Sequence, residues 1–259
     1  MMNALIKYYE EYDEDARLQK DKTHSIEFLT TVKYFEKIFP KGASVLDACA
    51  GTGAYSFYLA KKGYKVTAGD LVPYNVGLIE KKQSETKLLE DIYLGNVLDL
   101  SMYEDESFDV VLCMGALYHL QKKVERVKAI KECLRVLKKD GILATAYINR
   151  YAAILCNCGD ELANIDELLE YSKNSFKNNF YGSTPKEIKE IMSGAGIEEI
   201  CNIGTDGIAY AIKPKIDHSD DKAFEKWLEY HFAACEDENI LGYSLHGLHF
   251  GRKRRDHAK

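Results

Sequence analysis

The sequence has little of what marks membrane-inserted proteins. None of its 259 residues lies in a run of about 18 consecutive apolar residues, which is what a membrane-spanning helix needs. The first segment, MMNALIKYYEEYDEDARLQKDK, is acidic and aromatic, whereas a secretory signal peptide is basic and then apolar. These absences predict a cytoplasmic protein that does not insert into a membrane.

The sequence also lacks the cysteine spacing of metal and disulfide sites. Its 7 cysteines are an odd number, and no two of them form a CxxC pair. His231, Cys235, His246 and His249 match no common zinc spacing. We therefore interpret the cysteines as reduced and expect no metal.

A broad excess of basic charge is missing as well. The formal net charge is -6, and only the tail GRKRRDHAK is locally basic. Since proteins that bind nucleic acid usually carry a basic surface, we expect no nucleic-acid partner.

Strand-like and helix-like segments alternate along the chain, without an internal repeat. Alternation of this kind implies right-handed crossovers and a parallel sheet that is buried on both faces. We predict an α/β fold: a doubly wound, mostly parallel sheet of seven strands with helices on both faces. The predicted strands are 43–49, 65–70, 91–95, 108–114, 141–149, 197–204 and 243–253.

We expect residues 1–259 to form a single domain with three sections. Residues 1–40 are a helical extension that serves as a lid, and 41–150 are the cofactor-binding half. Residues 151–259 hold the C-terminal strands and a polar, helical insert after the fifth strand, near 159–182. Between the fourth and fifth strands we predict a helix with Val124, Val127, Ile130, Leu134 and Leu137 on one face, ending at Gly141.

The segment LDACAGTGAYSFYLAKKGYKVTAGD, residues 46–70, predicts a binding site. Gly51 and Gly53 lie in the turn after the first strand, where a missing Cβ lets a ligand approach the backbone N–H groups. Asp70 ends the second strand, where a carboxylate can accept hydrogen bonds from both ribose hydroxyls. The combination indicates a cofactor that contains adenosine. A plain tight turn is the alternative for the glycines alone.

An NAD cofactor competes with this interpretation. The dinucleotide fingerprint G-x-G-x-x-G requires a third glycine for close packing of the helix, and Ser56 stands at that position. The match to an NAD-binding turn is therefore poor.

Four segments in order resemble the class I S-adenosylmethionine-dependent methyltransferases over about residues 40–150. They are DACAGTG (47–53), the acid Asp70, GNVLDL (95–100) and FDVVLCMGALYHL (108–120). Cys49 departs from the pattern, because the family usually has a glycine there. The resemblance implies S-adenosylmethionine as cofactor, with Asn96 meeting the adenine amine and Val97 its ring edge. The implied cofactor-binding residues are Asp47, Ala50, Gly51, Gly53, Asp70, Leu71, Asn96, Val97, Met114 and Gly115.

Candidates for catalysis follow the fourth strand. His119 and Tyr118 would lie near the methyl end of the cofactor, where a general base is needed only if the acceptor arrives protonated with a high pKa. A hydrogen-bonded, packed histidine at a helix start is the alternative for His119. In the lid, Arg17 can pair with the methionyl carboxylate. The lid also has three tyrosines, Tyr8, Tyr9 and Tyr12, whose ring faces suit a sulfonium, and of these we assign Tyr12 to the cofactor. An amphipathic surface helix is the alternative for the lid.

The methyl acceptor is not specified by a motif. No NPPY or DPPY follows the fourth strand, and the N-terminal extension resembles the lid of small-molecule methyltransferases, so we expect a small-molecule acceptor. Two other functions stay open: an NAD(P)-type oxidoreductase, and a protein that binds S-adenosylmethionine without catalysis. The sequence makes no prediction of the oligomeric state.

Overall fold

The computed structural model describes residues 2–157, 162–177 and 179–254. Cys158, part of the predicted insert and the end of the basic tail lie outside the described residues. The helices are α1 (Met2–Glu11), α2 (Glu14–Arg17), α3 (Lys22–Ile38), α4 (Ala54–Lys61), α5 (Pro73–Thr86), α6 (Ala116–His119), α7 (Lys123–Val136), α8 (Ile154–Asn157), α9 (Ile165–Asn174), α10 (Pro185–Gly194), α11 (Lys213–Asp217), α12 (Asp221–Ala234) and α13 (Glu238–Leu241). The strands are β1 (Ser44–Asp47), β2 (Lys65–Asp70), β3 (Asp91–Leu94), β4 (Phe108–Cys113), β5 (Leu137–Asn149), β6 (Phe176–Lys177), β7 (Phe180–Ser183), β8 (Ile197–Gly204) and β9 (His246–Lys253).

The sheet is doubly wound and mostly parallel, as predicted. Its order through the seven predicted strands is β3-β2-β1-β4-β5-β9-β8, and β9 runs antiparallel to both of its neighbours. The order reverses direction between β1 and β4, which places their carboxyl ends at a switch point of the topology. Binding sites of doubly wound folds lie at that position.

Helices cover both faces of the sheet because its strands are apolar on both faces. On one side Phe35 of α3, Leu59 of α4 and Ile79 of α5 are fully buried against the sheet. On the other side Ile130 of α7 and Met192 of α10 are buried. The two layers hold the carboxyl ends of the central strands at the rim of the molecule.

The helix between β4 and β5 differs from its prediction. It ends at Val136, and Leu137 already begins β5, so Gly141 lies inside a strand. Asp140 has a φ of 62°, and the pairing of β4 with β5 shifts register near Phe108. The buried face of the helix is also rotated, since Val124 is exposed.

The insert after β5 contains more than helices. Besides α8 and α9 it has a hairpin, β6 with β7, whose second strand pairs in parallel with the end of β5 at Ile148 and Asn149. This hairpin was not predicted. It brings the insert to the carboxyl end of the sheet, next to the switch point.

No helix in the described ranges is long and apolar enough to cross a membrane. The division into three sections of a single domain stays a prediction.

Candidate functional site

A cavity of about 300 Å³ lies at the carboxyl ends of β1, β2 and β4. Helices α1 and α2 cover it, and the insert closes one side through Phe176 and Asn179. Eleven predicted site residues line it. From the first two motifs and the adenine-side motif these are Ala50, Gly51, Asp70, Leu71, Asn96 and Val97. From the β4 motif and the lid they are Met114, Gly115, Tyr118, His119 and Arg17.

The turn after β1 is held open by glycine and fastened by Asp70. Gly51 has a φ of 56°, a conformation that L side chains rarely adopt, and its N–H donates to Asp70 Oδ2 at 2.8 Å. Asp70 Oδ1 accepts from the Val72 N–H at 2.8 Å and from Asn75 Nδ2 at 3.1 Å. A buried carboxylate has about four acceptor positions, so these three bonds leave about one for a ligand hydroxyl.

Three predicted cofactor-binding residues are not among those that line the cavity. Asp47 is buried beneath the turn and accepts a hydrogen bond from Ser56 Oγ at 2.6 Å. Gly53 caps α4, and a Cβ there would lie 3.0 Å from the ring of Phe57 rather than in the cavity. Tyr12 is 38% exposed. The first two shape the turn from behind instead of lining the cavity.

Of the three lid tyrosines, the sequence analysis assigned Tyr12 to the site, whereas Tyr9 is the one that lines the cavity. Residues four apart share one face of a helix, so Tyr12 stacks on Tyr8 with ring centroids 5.4 Å apart, while Tyr9 falls on the same face as Leu5. This i, i+4 pairing was visible in the sequence. The sequence does not show which of the two faces of α1 lies against the cavity.

His119 has a defined partner on each ring nitrogen. Its Nε2 lies 2.8 Å from the hydroxyl of Tyr9, and its Nδ1 lies 2.9 Å from the backbone oxygen of Asn179. Burial lowers the pKa of His119 to about 4, against a weaker opposing effect of the Asn179 carbonyl. The imidazole is therefore neutral at pH 7, and both the packed and the catalytic interpretations of His119 remain compatible with its position.

Arg17 lies at the cavity wall between two carboxylates that the sequence analysis did not single out. Its Nε donates to Glu14 Oε1 at 2.9 Å, and its two terminal nitrogens donate to Glu27 at 2.6 and 3.1 Å. Burial would raise the pKa of Glu27, but the positive charges of Arg17 and His246 lower it to about 2. Two further N–H groups of the guanidinium are available to a ligand carboxylate.

The lid is tied to the turn by one lysine. Lys82 of α5 donates to a carboxylate oxygen of Asp15 in α2 and, at 2.9 Å, to the backbone oxygen of Thr52. A Cβ on Gly51 would have only Glu14 of the lid nearby, 3.7 Å away. The lid therefore lies directly over the turn, close enough for a Cβ at Gly51 to be in van der Waals contact with Glu14.

The two acids at the turn, Asp47 beneath it and Asp70 beside it, both have pKa values above the ordinary value of an aspartate. Burial is the main cause that raises the pKa of Asp47 to about 7, and burial also raises the pKa of Asp70. Asp70 accepts from the Gly51 N–H and Asp47 from the Ser56 hydroxyl.

In the described part of the chain no group of three or more His, Cys, Asp or Glu side chains is placed to hold a metal ion. The residues that are present fit an adenosyl group. A buried carboxylate with a spare acceptor position lies beside a glycine turn, and Asn96 and Leu71 line the next part of the wall.

Comparison with known proteins agrees with this site. A family model described as a methyltransferase domain matches residues 46–145. A ubiquinone biosynthesis O-methyltransferase of Xanthomonas axonopodis pv. citri is 30% identical over 162 residues, which are 62% of this chain and 65% of that protein. A putative methyltransferase of Bacillus subtilis is 33% identical over 112 residues, which are 43% of this chain and 44% of that protein. The chain thus matches less than two thirds of the length of either relative.

A solved structure extends the likeness of fold to nearly the whole chain. It is a methyltransferase from Thermotoga maritima, described as a possible histamine N-methyltransferase, with a TM-score of 0.62 at 18% identity. The match covers 98% of this chain and 100% of that one. The matched family domain coincides with the strands and turns that surround the cavity, so residues 46–145 are similar to a methyltransferase domain in the part of the chain that forms the site.

Proposed function

We propose that this protein transfers the methyl group of S-adenosylmethionine to a small-molecule acceptor in the cytoplasm. The observation that carries the proposal is the covered cavity of about 300 Å³ into which the cofactor-site residues and the lid both project. That volume is at the lower end of the range for ligand cavities, about 300–1,000 Å³. A covered cavity of that size suits a compact acceptor and not a folded macromolecule.

The chain's own residues would hold the cofactor by its two ends. Asp70 would accept a ribose hydroxyl, Asn96 would meet the adenine, and Arg17 would bind the carboxylate of the methionine part. The cofactor supplies a methyl group on a positively charged sulfur. Transfer removes that charge, so the protein's main tasks are to align donor and acceptor and to exclude water.

The aromatic lining supports a positively charged donor. Glu14 and Glu27 also line the cavity on the lid side, where Arg17 pairs with both of them and His246 lies beside Glu27. Tyr9 and Tyr118 present aromatic rings to the same cavity, and a ring face attracts a sulfonium as it attracts other cations. His119 and Tyr118 are the proposed catalytic residues.

The relatives support a small acceptor, since one of them is named for ubiquinone biosynthesis. An NAD(P)-type oxidoreductase has no support in the family match or in the turn. A protein that binds S-adenosylmethionine without catalysis is the remaining alternative, and a likeness of fold alone does not distinguish it.

The test uses cofactor that carries a radioactive methyl group. The protein is incubated with it and, separately, with the small-molecule, RNA and protein fractions of a cell extract. We expect label in the small-molecule fraction, less of it with Asp70→Asn, and the wild-type amount with Asp109→Asn, a carboxylate variant outside the cavity. Label in RNA or protein alone contradicts the small acceptor. Cofactor binding without label in any fraction supports the non-catalytic alternative.

A further inference from the structure

A chain of hydrogen bonds links the lid, the β4 motif and the insert at the acceptor end of the cavity. Tyr9 comes from α1, His119 from α6, and Asn179 from the residue before β7. All three line the cavity. The chain of bonds is therefore complete only while the lid is in place.

The chemistry of the partners fixes where the protons are. A backbone carbonyl only accepts hydrogen bonds, so Nδ1 of His119 must carry a proton and donate to Asn179. Since the neutral ring has one proton, Nε2 presents a lone pair and the hydroxyl of Tyr9 donates to it. The oxygen of Tyr9 is left with lone pairs for a donor inside the cavity.

We propose that Tyr9 and His119 together accept the proton of a phenolic hydroxyl, and that the methyl acceptor is a small phenol methylated on oxygen. This inference rests on the proposed function and names its acceptor class. A phenol fits because Tyr118 packs on His119, and Leu5, Leu120 and Phe176 add further apolar and aromatic lining to the same cavity. The hydroxyl proton of a phenol can pass to the oxygen of Tyr9, while the proton of Tyr9 passes to Nε2 of His119.

The proton and electron balance closes without another reactant. As the phenol oxygen attacks the methyl carbon, the C–O bond forms and the C–S bond breaks, and its electrons neutralise the sulfonium. The phenol proton moves to the oxygen of Tyr9, whose own proton moves to Nε2 of His119. The products are a methyl ether, S-adenosylhomocysteine and an imidazolium, which returns its proton to water once the lid opens.

The surroundings of His119 suit a proton acceptor that starts neutral. Besides Tyr9 and the Asn179 carbonyl, the rings of Tyr118 and Phe180 pack on it, at centroid distances of 4.7 and 5.0 Å. None of these neighbours carries a charge at pH 7. Burial keeps the imidazole unprotonated, and the phenol proton becomes strongly acidic as the C–O bond forms, so a weak base accepts it.

Two probes of matched size separate proton transfer from binding. In an assay at pH 8, 4-methylphenol must lose a proton of pKa about 10, whereas the far more acidic 4-methylbenzenethiol is largely a thiolate and needs no base. In Tyr9→Phe the ring is kept and the hydroxyl is lost. We expect its kcat with the phenol to fall about 100-fold, the contribution of a general base, with little change in KM and in the rate with the thiol. Tyr8→Phe, on the other face of α1, should match wild type with both probes.

A second measurement needs no acceptor. NMR of the histidine ring nitrogens in the wild-type complex with S-adenosylhomocysteine should find Nδ1 of His119 protonated and Nε2 not, and Tyr9→Phe should shift the Nε2 signal. The opposite tautomer overturns the proposal. So does an equal loss of rate with both probes, or transfer to the thiol without transfer to the phenol. If wild type methylates neither probe nor any extract fraction, the proposed function fails, and the tautomer alone then decides the roles of Tyr9 and His119.

Discussion

Replacing Asp70 by asparagine tests the cofactor site most directly. The carboxylate has two roles in the structure, because it fastens the Gly51 turn and faces the cavity. Asparagine keeps the size of the side chain and one carbonyl oxygen. It loses the charge and places a donor where an acceptor stood.

The magnitude follows from the number of bonds. Three of about four acceptor positions on Asp70 are used within the protein, by Gly51, Val72 and Asn75. The variant therefore loses about one charge-assisted bond to the ribose, and a bond to a charged group contributes about 1.5–3 kcal/mol. The dissociation constant for S-adenosylhomocysteine should rise about 10- to 150-fold. One internal bond is lost too, which should lower the free energy of unfolding by about 1–3 kcal/mol.

Isothermal calorimetry and urea unfolding measure the two effects separately. The matched control is Asp109→Asn, since Asp109 accepts from the N–H and hydroxyl of Ser44 and pairs with Lys138, away from the cavity. The control should lose stability and keep its affinity. If Asp70→Asn binds S-adenosylhomocysteine as tightly as wild type, Asp70 does not contact the cofactor and the adenosyl assignment is wrong.

Three further predictions concern the turn, the lid and the buried acid. Gly53→Ala should lower the free energy of unfolding more than Gly51→Ala, whose main effect should be on cofactor affinity; urea titration and calorimetry compare them. Arg17→Met should cost about 3 kcal/mol of stability, because it leaves the Glu27 carboxylate without its main partner, and adding Glu27→Gln should restore most of it; no recovery in urea titrations would contradict this. Since the folded-state pKa of Asp47 is raised to about 7, the folded state holds a proton that the unfolded chain releases near pH 4, so stability falls as pH rises between about 4 and 7. Unfolding free energies on either side of that window should show this fall in wild type and its absence in Asp47→Asn.

The sequence predicted which helices and strands form better than it predicted the residues at which they begin and end. β2 and β8 begin and end where their apolar patterns do. The end of α7 was wrong because helical periodicity continues through Leu137, while the chain turns there through the left-handed backbone of Asp140. The β6–β7 hairpin was missed because its short strands depend on pairing with the distant end of β5, which leaves no local pattern.

The residues expected to hold the cofactor could be predicted because short local motifs encode them. The turn, Asp70 and the β4 motif carry their chemistry in fixed spacing, and a parallel sheet brings their strand ends together. The acceptor side could not be predicted, because distant segments of the chain form it and come together only in the folded protein. Tyr9 and Asn179 are 170 residues apart in the chain, and both reach His119 only when the lid and the insert lie against the sheet.

The ion pairs of α2 would oppose an opening of the lid. If α2 moved away, Arg17 would leave Glu27, and a buried carboxylate without a partner would cost several kcal/mol. His246 of β9 lies 3.5 Å from Glu27 and 2.7 Å from Asp206. Burial lowers the pKa of His246, but the two carboxylates outweigh it and raise the pKa above its ordinary value. We therefore expect His246 to keep Glu27 partly compensated while the lid is open, which lowers the barrier to cofactor exchange without weakening the closed state.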